Sequence, residues 1–265
     1  MKKFLLIILC CFLIIIENYK NASSLSYKRH DLIIKKAISM LKNLEKDKSW
    51  TIAGYSNWKN KILLKEYGNR GKNILIIGGI HGDEPASVTS AIYLAKYLEK
   101  NSASIKNRVI IVPCLNPDGL RAGRRTNGHK IDLNRNFPSS TWEFDYTKHY
   151  NNPGPLPASE PETVVAIEIM DKYQPVMIIQ LHQPFAALYP DSKAPNDLIE
   201  KMSDISGFSI SFDIGYKTPG SLGSFKSDQE YSIIGITYEL GRIDREPDYN
   251  KVILSLLEAI NYDYN

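Results

Sequence analysis

Cysteine is scarce in this chain, with three residues in 265, and two of them, Cys10 and Cys11, sit inside an apolar N-terminal run. With that run set aside Cys114 stands alone, so no internal disulfide can staple the fold and stability has to come from a buried core. Charge of one sign is scarce as well. The net charge is +4, Lys28-Arg29 and Arg124-Arg125 are isolated pairs, and no basic block supports nucleic-acid binding. The sequence also lacks internal repeats, long low-complexity linkers, and any apolar run reaching the ~20 residues that span a bilayer.

What remains is ordinary for one large domain: 43% hydrophobic and 23% charged residues, enough to bury a substantial core. The N-terminus departs from that average. Lys2-Lys3 precede the apolar run Phe4 to Ile16, and small residues follow at Ala22-Ser23-Ser24. This is the order of a secretory signal peptide. It predicts a leader over 1–24, a domain over 25–265, and an exported protein in the periplasm or cell wall. Retention of 4–16 as an uncleaved membrane anchor is the alternative. No small residues precede Cys10 and Cys11, which argues against a lipoprotein.

Four short apolar runs rich in β-branched residues read as buried strands: Ile74 to Ile80, Arg108 to Cys114, Val176 to Leu181 and Ile233 to Leu240. Between them lie helical patterns. Leu32, Ile33, Ala37, Met40, Leu41 and Leu44 form a stripe, Ser87 to Lys100 follows the first strand, and Ser159-x-x-Glu162 reads as a capping box opening a helix through Met170. Strands that are apolar throughout, alternating with helices, predict a single α/β domain: a mixed, mostly parallel sheet with helices on both faces.

The ends of those strands carry the chemistry. The first empties into His81-Gly82-Asp83-Glu84, the second into Asn116-Pro117-Asp118-Gly119, the third into His182, and the fourth contains Glu239. Ligands of open α/β sheets bind outside the carboxyl ends of strands. An imidazole and a carboxylate three positions apart, joined by a second imidazole, leave a fourth position of a tetrahedral zinc open to water. His129 and His149 lie in polar stretches with no strand behind them. Glu239 is a carboxylate inside an apolar strand, rare unless paired or functional: it is either a salt-bridge partner of Arg242 or a general base. Arg125, with Asn134 and Arg135 in the run Asp132-Leu133-Asn134-Arg135-Asn136-Phe137, suits an amide substrate bearing its own carboxylate.

In that order, His81-x-x-Glu84, Asn116-Pro-Asp-Gly119, Asn134-Arg135-Asn136, His182 after a strand, and Thr237-Tyr-Glu-Leu240 resemble the zinc carboxypeptidase family, over roughly Asn73 to Arg242. The resemblance implies one zinc held by the matches to His81, Glu84 and His182. It makes the match to Glu239 the general base and the match to Arg125 the group polarising the scissile carbonyl, with Arg124 as its neighbouring alternative. Asn134 and Arg135 match the holders of the substrate carboxylate. The loop Asp213 to Phe225 is similar to an amidase branch of that family that cleaves the γ-D-glutamyl–diaminopimelate bond of peptidoglycan peptides. Within it Tyr216 matches a mobile tyrosine that donates a hydrogen bond in catalysis. A peptidoglycan-derived peptide is therefore the expected partner, and a membrane is met only through the N-terminal segment. The alternatives are an N-acyl amino acid deacylase of the desuccinylase and aspartoacylase type, a general zinc carboxypeptidase, and a non-catalytic peptidoglycan-binding protein.

Overall fold

The computed structural model describes residues 2–229 and 232–264, with side chains from Ser23 onward; the signal-peptide reading of 1–24 falls almost wholly outside the described side chains. Isoleucine-, leucine- and valine-rich segments build the middle of one sheet. It comprises β1 (Thr51–Tyr55), β2 (Lys61–Tyr67), β3 (Asn73–Ile77), β4 (Arg108–Val112), β5 (Met177–His182), β6 (Ala187–Pro190), β7 (Ser209–Ile210) and β8 (Ile234–Glu239). The strand order is β1-β2-β4-β3-β5-β8-β6-β7. β4, β3, β5 and β8 run parallel to one another. Antiparallel strands flank this centre, β2 against β4 and β6 against β8. The expected mixed, mostly parallel sheet is the observed one.

Alternation along the strands divides the core in two. Ile74 and Ile76 of β3 join a cluster under α1 (Lys2–Leu44), α2 (Pro85–Asn101), α5 (Asn196–Ser206) and α7 (Tyr249–Asn261). Leu75 and Ile77 point the other way, into a cluster with Val165, Ala166, Ile169 and Met170 of α4 (Pro161–Tyr173). Helices therefore cover both faces. Two short helices, α3 (Pro117–Ala122) and α6 (Leu222–Ser227), lie in loops at the carboxyl edge.

Two local expectations are corrected. In α1 the buried stripe runs through Ile33, Ala37, Leu41 and Leu44, whereas Leu32 is exposed. The capping box at Ser159 does not form. α4 has Glu160 at its N-cap with no side-chain cap bond, because the nearby polar groups have other partners: Ser159 Oγ donates to Glu160, and Glu162 accepts from the Asn57 N–H and from Asn127. Buried amides at Asn127 and Asn136 need acceptors, and they take the oxygens that would otherwise cap the helix.

Candidate active site

The loop after β3 is locked to the loop after β4. Gly78 N donates to Val112 O, and Leu115 N and Asn116 N donate back to Gly78 O and Gly79 O. Gly82 packs on Gly119 so closely that a Cβ at 82 would lie 1.9 Å from the Gly119 carbonyl carbon. Gly82 is thus required by this backbone contact, and Gly119 by a second one, since a Cβ there would lie 2.5 Å from Asn116 Nδ2 and 2.7 Å from Thr126 O. Asn116 caps α3 and donates to Ile80 O and Arg125 O, while Asp118 accepts from Ser56, Trp58 N and Asn60. The Asn-Pro-Asp-Gly segment therefore holds the two loops in place and delivers no ligand to the cavity.

What these loops hold is a cage. His81, Glu84 and His182 are buried, and one donor atom from each lies within 4.8 Å of the others. His81 Nδ1 is 2.7 Å from Glu84 Oε1, and His182 Nδ1 is 2.9 Å from Oε2. Glu84 is the N-cap residue of α2, yet its carboxylate does not cap the helix; the Ala86 N–H is satisfied instead by Gln183 Oε1. Gln183 also donates to Gly241 O and Arg242 O, tying β5, α2 and the end of β8 together. Burial pushes the Glu84 pKa up, but the charges of both histidines hold it well below the usual carboxylate range. Burial and Arg125 pull His81 down, but Glu84 and Asp132 more than offset them and raise it to about 9. His182 is lowered by burial, the direction that favours the neutral, metal-binding imidazole.

The donor set fits zinc by its chemistry: two imidazoles and one carboxylate, buried and convergent, the catalytic pattern that leaves one position open. The surrounding contacts fit as well. Asp132, which sequence reasoning did not single out, places Oδ1 3.2 Å from His81 Nε2 and accepts from Arg125 Nε through Oδ2 at 2.9 Å. A carboxylate behind a ligating histidine fixes which ring nitrogen faces the metal.

Around the cage lies a cavity of about 540 Å³, whose walls include Arg125, Asn134, Arg135, Tyr216 and Glu239. Every sequence-predicted site residue is therefore brought to one space. Glu239 sits beside His182 in the β5–β8 register. Its Oε2 accepts from Phe185 N at 3.4 Å, and burial, together with the charge of Glu84, pushes its pKa up to about 8. Arg242 pairs with Asp244 instead, so the salt-bridge reading of Glu239 fails. Arg125 Nη1 lies 3.7 Å from Glu84 Oε1 and lines the cavity. Arg124 turns away, donating to Gly128 O at 3.1 Å and to Asn127 O and stacking over Trp58. Of the two neighbouring arginines, only Arg125 faces the cage. Asn134 Oδ1 accepts from Leu222 N at 3.0 Å, and Arg135 Nη1 donates to Asn134 O. Tyr216 is 49% exposed at the rim. His129 lies outside this space, its ring beside Glu160.

Comparison with known proteins agrees with this geometry. Murein peptide amidase A of Escherichia coli (strain K12) is 29% identical over 199 residues, 71% of this chain and 79% of its own. The protein of that name from Vibrio campbellii is 28% identical over 200 residues, 71% and 77%. The crystal structure of murein-tripeptide amidase MpaA from Escherichia coli O157 shares the fold, with a TM-score of 0.68 at 24% identity over 83% of this chain and 94% of that one. Carboxypeptidase A from Helicoverpa armigera shares it too, with a TM-score of 0.66 at 17% identity over 83% and 68%. The zinc carboxypeptidase model matches residues 38–241, which takes in the whole cage and Glu239, and the chain belongs to that family.

Proposed function

We propose that the protein is a zinc-dependent amidase that hydrolyses the γ-D-glutamyl–diaminopimelate bond of peptidoglycan peptides. The observation that carries the reading is one cavity holding His81, Glu84, His182, Glu239, Arg125 and Arg135 together. His81, Glu84 and His182 would hold the zinc. When bound, the metal supplies Lewis acidity, lowering the pKa of water from ~15.7 toward ~7. Glu239 takes a proton from the attacking water and passes it to the leaving amide nitrogen; one carboxylate thus acts first as base and then as acid. Arg125 is aimed to donate to the oxygen that gains charge as the carbonyl carbon becomes tetrahedral. Arg135 and Asn134 hold the free carboxylate next to the scissile bond, and Tyr216 closes from the rim with its hydroxyl as a further donor.

Support for the substrate comes from the names of the relatives and from the Asp213 to Phe225 loop. Support for export comes from the leader-like order of 1–24, which would bring the enzyme to peptidoglycan outside the cytoplasm. The test is to incubate zinc-loaded protein with L-Ala-γ-D-Glu-meso-diaminopimelate and with defined muropeptides, reading products by mass spectrometry. Release of diaminopimelate, or of a peptide beginning with it, is expected. Removal of C-terminal residues alone, with the γ-D-glutamyl bond whole, would show a general carboxypeptidase instead.

A further inference from the structure

Away from the cage the cavity extends along β5 and β8. Gly235, Thr237 and Glu239 share one face of β8, as Gln180 and His182 share one face of β5, and all five line the same space. At its far end stands an ion pair between a buried lysine and a half-buried aspartate. Lys226 of α6 is 4% exposed, and its ammonium donates to Asp191 Oδ2, which also accepts from Gly235 N at 2.8 Å. Asp191 Oδ1 accepts from Lys193 N at 2.9 Å. The strand is shaped for this lysine: a Cβ at Gly235 would lie 2.2 Å from Lys226 Cε. Glycine inside a strand weakens it, and taking the Lys226 ammonium out of water carries a desolvation cost that one ion pair only partly offsets. A folding role accounts poorly for two such costs at one place.

We infer that Lys226 and Asp191 form a recognition site for a side chain ending in an α-amino acid group, Lys226 taking its carboxylate and Asp191 its ammonium. The inference rests on the amidase reading and names what that site distinguishes. An ammonium has three donors and the ion pair uses one; a carboxylate offers about four lone-pair sites. Both partners therefore have capacity for a zwitterion laid across them. The spacing agrees. Gly235 and Glu239 are four strand steps apart, roughly 13 Å. Three methylenes, with hydrogen bonds of ~2.9 Å at either end, bridge from an amide at Glu239 to the pair. Diaminopimelate carries such a group: its near carboxylate meets Arg135 and Asn134, and its distal carbon presents ammonium and carboxylate together. Lysine lacks the distal carboxylate, and 2-aminopimelate lacks the distal ammonium. A cross-linked diaminopimelate, its distal nitrogen acylated, has no cation for Asp191.

The test compares γ-D-Glu-meso-diaminopimelate, γ-D-Glu-L-lysine and γ-D-Glu-2-aminopimelate as substrates, and calorimetric binding of the three free amino acids, for the full-length zinc-loaded protein. Wild type is expected to favour meso-diaminopimelate at least tenfold in kcat/KM and in binding. Lys226→Met should remove the preference over lysine, Asp191→Asn the preference over 2-aminopimelate, and Lys226→Arg should retain most of it. Melting temperatures identify a variant that fails to fold, and Asp191→Asn then decides. Equal use of the three ligands by wild type, or preferences unchanged in both variants, overturns the inference. If γ-D-glutamyl bonds are cleaved in that case, the amidase reading survives. If none is cleaved, that reading fails and the binding series alone decides this one.

Discussion

Asp132 Oδ1 lies 3.2 Å from His81 Nε2, so the ring nitrogen pointing away from the cage is held by a buried carboxylate. The same side chain accepts from Arg125 and from Asn134 N, coupling the cage to the arginine that faces it and to the turn carrying Arg135. Asp132→Asn keeps the shape but weakens both ionic contacts. Zinc affinity is expected to fall about 10- to 100-fold, the usual effect of removing the partner of a ligating histidine. A competition titration against a fluorescent chelator measures it, and unchanged affinity would place Asp132 outside the metal's support.

Zinc binding should depend on pH in a defined direction. In the zinc-free protein Glu84 and Asp132 raise His81 to about 9 from its ordinary 6.5. A raised pKa means that the folded state holds the proton more tightly, so its contribution to stability is fully present below about 6.5 and lost as pH rises through about 9. Zinc needs the neutral ring and competes with that proton. Apparent affinity is therefore expected to rise between pH 6.5 and 9, approaching tenfold per unit for one displaced proton. The rise in melting temperature on adding zinc should widen over the same interval. A flat profile would mean that His81 is neutral before the metal arrives.

The sheet's centre and the cage were legible in the sequence for the same reason. Runs such as Ile74-Leu75-Ile76-Ile77 are apolar on both faces, and residues at their ends must emerge at one edge. The edge strands were not legible. Thr51–Tyr55 is exposed or half-buried along its length and Ser209–Ile210 is two residues long; neither carries enough apolar pattern to register. Asn116 and Asp118 misled because a polar residue at a strand end looks the same whether it faces a cavity or a neighbouring loop. Asp132 escaped notice because its partners, His81 and Arg125, meet it only in three dimensions. The separation of Arg124 from Arg125 was likewise decided by contacts, with the carbonyls of Asn127 and Gly128 and the ring of Trp58 on one side and the cage on the other.

Glu239→Gln should lower kcat by on the order of 10²- to 10⁴-fold, the usual scale for a lost general base, while one zinc per chain stays bound, because the carboxylate is not in the cage. Metal analysis beside steady-state kinetics tests both halves. A third readout follows from its pKa, pushed up to about 8 in the zinc-free protein by burial and by Glu84. Wild type then loses stability from this group as pH rises from about 4.5 through about 8. The glutamine variant, having no charge to bury, should lose less over that window. Melting curves that run parallel for the two proteins would show that Glu239 is solvated rather than buried.

Substitutions at the adjacent arginines should separate function from support. Arg125 faces Glu84 and lines the cavity; Arg125→Ala removes a donor aimed at developing charge, with an expected loss of about 10²- to 10³-fold in kcat. Arg124 binds two carbonyls and stacks on Trp58, contacts worth about 1–2 kcal/mol together. Arg124→Ala should therefore lower the melting temperature by several degrees and leave kcat within a few-fold of wild type. Thermal melts and kinetics on the two variants form a crossed pair. If Arg124→Ala costs the catalysis and Arg125→Ala only the stability, the assignment is reversed, and the loop must turn by one residue when substrate and metal are bound.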